Sequence, residues 1–189
     1  MTSKLKVHAV HVSEKTTWIW FQLLSSDGKQ GLGEATLNGR ASEVLAALPR
    51  CLAAIAACDQ GHGAKLLAVQ SVESGVVGKA IASGLEQAWL DREARRIERP
   101  IYDLLGGRYR TLVPCYANIN RGTISREPEE FAERAVHAIA DGYSAVKLAP
   151  FDDVLAGPMD ETRRAQLIER ALQRVAAVCE RVADRATVN

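Results

Sequence analysis

The four cysteines, Cys51, Cys58, Cys115 and Cys179, are scattered, form no CxxC pair and have no histidines at metal-ligand spacing. That leaves neither a disulfide framework nor a zinc ribbon, and they read as reduced thiols of a cytoplasmic protein. An excess of charge is missing as well, since 24 lysines and arginines face 23 aspartates and glutamates for a net charge of +1. Such a balance offers no footprint for nucleic acid or for an acidic membrane surface. Long apolar runs are also absent: LAAIAAC at 52–58 falls far short of the roughly 20 residues that cross a bilayer. The opening MTSKLKVHAVHV alternates polar and apolar residues and lacks the continuous apolar stretch of a signal peptide. What remains, at 47% hydrophobic and 25% charged residues, is an ordinary globular composition. Its partner is expected to be a small molecule or another protein chain.

Within that composition, strand-like alternation gives way to helical periodicity. Residues 4–34 read as a three-stranded meander, KLKVHAVHV, TTWIWFQLLS and QGLGEA, with SSDGKQ supplying an Asp-Gly turn. A period of two puts Trp18, Trp20, Gln22 and Leu24 on one face and Ile19, Phe21 and Leu23 on the other, so at least one face should be covered. From Ser42 to about Ile97, Leu45, Leu48, Leu52 and Ile55, then Ile81, Leu85, Ala88 and Trp89, recur at intervals of three and four. Pro49 is expected to divide or kink the first helix, and DQGHG at 59–63 to form a loop. Pro100 ends the long helix, IYDLL adds a turn, and Gly106-Gly107 stops it. The double glycine is the expected boundary between a domain at 1–107 and a second part at 108–189.

That second part alternates strand and helix. TLVPCYANIN at 111–120 reads as a strand, and REPEEFAERAVHAIADG as a helix that starts at Pro128, buries Phe131, Ala135 and Ile139, and ends at Gly142. YSAVKLA is a second strand, Ile168, Leu172, Val175, Cys179 and Val182 mark a second helix, and RATVN opens a third strand. The alternation implies a parallel sheet with crossover helices. A parallel sheet of two and a fraction strands has bare edges, and a closed eightfold strand-helix barrel needs roughly 250 residues. The expectation is therefore the front part of something longer, or later strands supplied by another chain.

GLGEA closing the meander, ASGLEQAWLDREARRIERPIYDLLGG at 82–107, VPCYANIN and AVKLAP together resemble the enolase superfamily in its mandelate racemase and muconate lactonizing enzyme branch. GLGEA by itself lacks the third glycine and helix start of a dinucleotide loop. The resemblance implies an α+β capping domain at 1–107, followed by the first βα units of an incomplete (β/α) TIM-type barrel. It also implies removal of a proton alpha to a substrate carboxylate, aided by Mg²⁺ whose acidic ligands lie on later strands, beyond Asn189. A homo-oligomer is implied as well. Such a proton is weakly acidic, so the dianion that forms needs fixed positive charge in a dry site.

In barrels of this kind, active groups sit at the C-terminal ends of strands. Lys147 lies near the end of the second strand and matches the first lysine of the family's Lys-x-Lys motif, whereas Ala149 replaces the second. That leaves Lys147 as the catalytic candidate, either the base itself or a charge that holds the carboxylate; the alternative is a lysine snorkelling to solvent. Asn118 and Asn120 share one side of the first strand as substrate-binding candidates or as a terminus satisfying its own backbone. Tyr116, on the same side, reads as packing. In the loop with Thr36, Asn38 and Arg40 could contact substrate, Arg40 as a bidentate clamp. The plainer reading is a solvated loop with Ser42 as helix cap. Asp152 and Asp153 read as loop residues rather than metal ligands, since adjacent aspartates point apart and nothing nearby completes a shell. Glu86, Asp91 and the arginines through Arg99 read as a charged helix face.

The resemblance, with Ala149 in place of one of two opposed bases, favours a Mg²⁺-dependent lyase, an acid-sugar dehydratase acting on a small carboxylate. A racemase, epimerase or cycloisomerase is the alternative, and a catalytically silent binding or oligomerisation module is a further one.

Overall fold

The structure is a computed structural model and describes residues 4–120, 122–154 and 158–188. It divides into two units, Met1–Tyr109 and Arg110–Asn189, taken in turn below.

In the first unit, β1 (Lys4–Ser13), β2 (Thr16–Leu24) and β3 (Gln30–Glu34) form an antiparallel meander in the order β1-β2-β3. The Asp-Gly turn closes through Ser25, whose amide donates to the Lys29 carbonyl at 3.0 Å. Ile19 and Phe21 are fully buried while Trp18 and Trp20 are exposed, as the alternation requires. Three helices cover the buried face: α1 (Ala41–Ala57), α2 (His62–Val72) and α3 (Gly75–Arg96). The core joins Ile19, Phe21, Val44, Cys51, Val69 and Ile81.

The glycines of GLGE make the sheet-helix approach possible. A Cβ on Gly31 would lie 2.0 Å from the Ala88 carbonyl oxygen, and one on Gly33 would lie 1.9 Å from that of Gly84. No side chain fits there. At this range α3 also covers the open edge of the meander: Asp91 accepts from the Leu32 amide at 2.9 Å and Gln87 from the Glu34 amide at 3.1 Å. The expected charged face is present too, with Arg95 donating to Asp91 and Arg96 to Glu93.

Several details differ from the sequence reading. Helix α1 runs through Pro49 as one element, and its buried residues are Val44, Ala47, Leu48 and Cys51, while Leu45 is exposed. Arg40, not Ser42, is its N-cap, without a side-chain hydrogen bond. His62, expected in a loop, begins α2 and stacks on Trp89, ring centroids 4.4 Å apart. The turn at IYDLL forms α4 (Ile101–Leu104), and all four cysteines are free.

In the second unit, β4 (Ala117–Asn118), β5 (Ala145–Lys147) and β6 (Thr187–Val188) form a parallel sheet in sequential order. Helices α5 (Pro128–Ala140) and α6 (Glu161–Val182) lie in the connections, with Pro128 in the first turn of α5. Their core holds Ile119, Phe131, Ala135, Val146, Val178 and Val182. The strands are shorter than expected. Only two residues of TLVPCYANIN and three of YSAVKLA pair, because β4 has β5 as its sole neighbour among the described residues. Asn189, expected to continue the third strand, lies outside the described residues.

Helix α6 has the expected period but a phase one residue earlier over most of its length. Its buried positions are Leu167, Ala171, Arg174, Val178 and Val182, leaving Ile168, Leu172 and Cys179 exposed. The buried row therefore contains an arginine, and what holds it there lies at the strand ends.

Candidate active site

Parallel pairing brings two of the expected residues side by side, because Asn118 is the register partner of Lys147 at the ends of β4 and β5. Directly paired residues project to one face, and both are exposed while Ile119, Val146 and Leu148 are buried. Lys147 is thus no buried charge. Its Nζ stands 5.6 Å from the centroid of the Tyr116 ring, within range of a cation–π attraction that aims the ammonium. Tyr116, read as packing, is 50% exposed and forms the seat of the lysine. The Asn118 side chain accepts from the Asn120 amide at 3.2 Å, a local turn at the strand end.

Asn120 is built into the scaffold. Its Oδ1 accepts from the Ala149 amide at 3.2 Å and from Arg126 Nη1 at 3.0 Å. Arg126 Nη2 donates to the Ala149 carbonyl at 3.0 Å and pairs with Asp152. The backbone of Ala149 is therefore held from both sides. Arg126 adopts φ 61, a left-handed conformation that a side chain enters at some cost.

Arg174, 2% exposed, completes the support. Its Nε donates to the Arg126 carbonyl at 2.8 Å, Nη1 to the Pro150 carbonyl at 2.7 Å, and Nη2 to Asp153 at 2.9 Å. Both guanidinium groups lie over the Phe131 ring, at 5.0 Å for Arg126 and 5.9 Å for Arg174. A buried cation of this kind needs partners for its donors, and here two carbonyls and a carboxylate accept from all three of its nitrogens. Burial would raise the pKa of Asp153, but the hydrogen bonds and charge of Arg174 outweigh it and hold the carboxyl below its usual range. In the first turn of α5, Glu130 accepts from the Ser125 hydroxyl at 2.6 Å and from the Ile124 and Ser125 amides at 2.9 Å. Those bonds, the hydroxyl first, lower its pKa from 4.5 to about 2.

Sequence reasoning missed Arg126 and Arg174. The signal for Arg174 was its position three residues after Ala171 and four before Val178, on the apolar row of its helix. Nothing local marked Arg126.

In the first unit, Asn38 and Arg40 lie on a pinned loop. Asn38 Oδ1 accepts from the Thr16 hydroxyl at 2.9 Å, Thr36 Oγ1 from the Ile19 amide at 3.0 Å, and the Gly39 amide donates to the Lys15 carbonyl at 2.7 Å. The Arg40 fork is filled by Glu43, with two bonds of 2.7 Å. It can clamp a substrate only by leaving that partner, and an exposed pair of this kind is held only weakly.

No three His, Cys, Asp or Glu side chains group as a cation requires among the described residues. Asp152 and Asp153 are each engaged by an arginine. The described residues do not fit the Mg²⁺ that the resemblance implies, so no step is routed through it.

The family model described as the mandelate racemase / muconate lactonizing enzyme N-terminal domain matches residues 2–106. D-gluconate dehydratase of Thermoproteus tenax is 32% identical over 175 residues, covering 88% of this chain and 33% of that protein. D-xylonate dehydratase of Haloferax volcanii is 30% identical over 191 residues, covering 96% of this chain and 45% of that protein. Among solved structures, a member of the enolase superfamily from Salmonella Typhimurium superposes with a TM-score of 0.78 at 22% identity, over 99% of this chain and 53% of that one. That likeness speaks for the fold alone. The chain spans between a third and just under half the length of these two curated relatives.

Proposed function

Because the chain belongs to the mandelate racemase / muconate lactonizing enzyme family, we propose that it supplies the capping unit and first barrel strands of an acid-sugar dehydratase. In that reaction the C–H bond alpha to the carboxylate breaks and its proton goes to a base. The beta C–OH bond then breaks and the oxygen leaves as water, and the resulting enol tautomerises to a 2-oxo-3-deoxy acid. The observation that carries the reading is the single ammonium at the strand ends, Lys147 on the Tyr116 ring beside Asn118. We assign Lys147 the fixed charge that meets the substrate carboxylate, with Asn118 beside it to contact the sugar chain. The names of the two dehydratase relatives support the substrate class.

The test uses protein purified from its native cells, a panel of aldonic acids, added Mg²⁺ and deuterated water. Proton NMR follows loss of the alpha proton, and carbonyl derivatisation follows the oxo acid. Lys147→Ala should lower kcat/KM by about 10²-fold or more, as for loss of one transition-state donor, and Lys147→Arg should restore much of it. An arginine variant as inactive as the alanine one makes Lys147 the base instead. Alpha-proton exchange without oxo acid identifies a racemase or epimerase. Neither exchange nor product from the unaltered protein leaves a binding module.

A further inference from the structure

Strands β4 and β5 stop pairing at Asn118 and Lys147, where the Ile119 amide still donates to the Lys147 carbonyl at 3.0 Å. In a regular parallel ladder the next rung would take the Ala149 amide back to the β4 main chain. Instead that amide donates to Asn120 Oδ1 at 3.2 Å. A side chain thus extends the ladder by one rung, just past the lysine. Arg126 closes the other half, its Nη1 donating to the same Oδ1 and its Nη2 to the Ala149 carbonyl, each at 3.0 Å. Both groups facing Oδ1 are N–H donors, so the oxygen and not the amide nitrogen has to stand there, and its two lone pairs are taken.

Arg126 reaches this position at a cost. Its backbone is left-handed at φ 61, a conformation in which a non-glycine residue persists only where its surroundings over-determine it. Those surroundings are the Arg174 Nε bond to its carbonyl at 2.8 Å, the Phe131 ring 5.0 Å from its guanidinium, and the Asp152 carboxylate. Asn120 is tied down as well, since the hydroxyl of buried Thr123 donates to its carbonyl at 2.7 Å. Between Lys147 and Ala149, Leu148 is buried in the core. The peptide units that aim the Lys147 side chain toward Tyr116 are therefore fixed on the core side by Leu148 and at their far end by the clamp on Ala149.

We propose that Asn120 and Arg126 are positioning residues for Lys147, locking the backbone just beyond it so that the ammonium stays over the Tyr116 ring at the strand ends. The inference rests on the reading of Lys147 as the fixed charge that meets the substrate carboxylate. It moves Asn120 out of the substrate-contact role and leaves that role to Asn118. A clamp of this kind matters because displacing a reacting or stabilising group by about 1 Å costs on the order of 10²-fold in rate. The chemistry of Asn120 also separates the two roles. Aspartate presents the same acceptor oxygen to Ala149 and Arg126 but lacks the amide donor, which is what Asn120 retains for touching a substrate.

Labelling the full chain with carbon-13 at lysine Cε gives an NMR reading that needs no turnover. The Lys147 signal, assigned by its loss in Lys147→Arg, should carry the ring-current shift of a group held over Tyr116 and lose it in Tyr116→Leu. Asn120→Ala and Arg126→Met should each move that signal toward those of exposed lysines, and lower kcat/KM on the aldonic acids about tenfold to 10²-fold. Asn120→Asp should keep both the shift and most of the activity. A Lys147 signal that stays in place in Asn120→Ala, with far-UV circular dichroism unchanged, overturns the proposal. So does an Asn120→Asp variant that keeps the shift yet is as slow as Asn120→Ala, because the amide nitrogen is then a substrate contact. A signal that moves as expected in a protein making no oxo acid upholds the clamp and sinks the dehydratase reading instead.

Discussion

Replacing Arg174 with methionine keeps an apolar stem against Phe131 and deletes the guanidinium. Four hydrogen bonds go with it, two to the Arg126 and Pro150 carbonyls and two to Asp153. At about 1.5–3 kcal/mol for each bond to a charged group the naive sum is far too large. The Asp153 side chain is 33% exposed and recovers water when its partner leaves, so much of the loss falls on the two carbonyls. The expected destabilisation of the second unit is about 3 kcal/mol, the lower end of what breaking a buried pair costs. Hydrogen exchange read by mass spectrometry on peptides of α6 measures it locally. Arg174→Met combined with Asp153→Ala should recover part of the loss, since the uncompensated carboxylate is then gone. The acid response supplies a second reading. Asp153 has a depressed pKa in the folded state, so its contribution is present above the unfolded carboxyl value of about 3.9 and is lost as pH falls through the folded one. That loss should vanish in Arg174→Met. A change in α6 protection below about 1 kcal/mol, or an unaltered acid response, would refute the reasoning.

Gly33→Ala should destabilise the first unit by about 3 kcal/mol or more, since its Cβ has no room against the Gly84 carbonyl; urea unfolding followed by fluorescence of Trp18, Trp20 and Trp89 reads it. His62 has a pKa lowered chiefly by burial. Its neutral form therefore stabilises the fold above the unfolded value of about 6.5, and the urea midpoint should fall as pH drops below it. His62→Phe should flatten that slope, and an unchanged slope would count against the assignment. Glu130, lowered to about 2 from 4.5, adds stability that is complete above 4.5 and is lost as pH falls toward 2. Glu130→Gln should remove that acid loss from exchange at residues 124 and 125, and its persistence would show that another carboxylate carries it.

Period and punctuation made much of the architecture legible. Alternation in KLKVHAVHV and TTWIWFQLLS defined β1 and β2 and which residues share each face, because side chains of a strand project alternately whatever surrounds them, while the choice of the buried face fell to the helices that cover it. Pro128 and Gly142 bracketed α5 for equally local reasons, one lacking an amide proton and the other holding φ 93. Lys147 was readable as a candidate from its place at a strand end and from its match to the first lysine of the family motif, whose second lysine Ala149 replaces, and Asn118 from the alternation of its strand.

Phase, partners and length were decided by the fold. Helix α6 carries two apolar rows one residue apart, and period alone cannot choose between them. The choice fell to the row containing Arg174 because carbonyls and Asp153 await its guanidinium there. The roles of Asn120 and Arg126 likewise arise from contacts 29 and 23 residues away along the chain, with Ala149. Strand lengths in the second unit depend on neighbours that residues 111–116 do not find among the described residues. By itself, the sequence determined which elements form and which side chain carries the visible charge, since propensity and alternation are local. Tertiary structure alone decided that Tyr116 seats that charge, that buried Arg174 and half-buried Arg126 hold the strand ends, and that the tryptophan face stands open. Each is a matter of which distant groups meet.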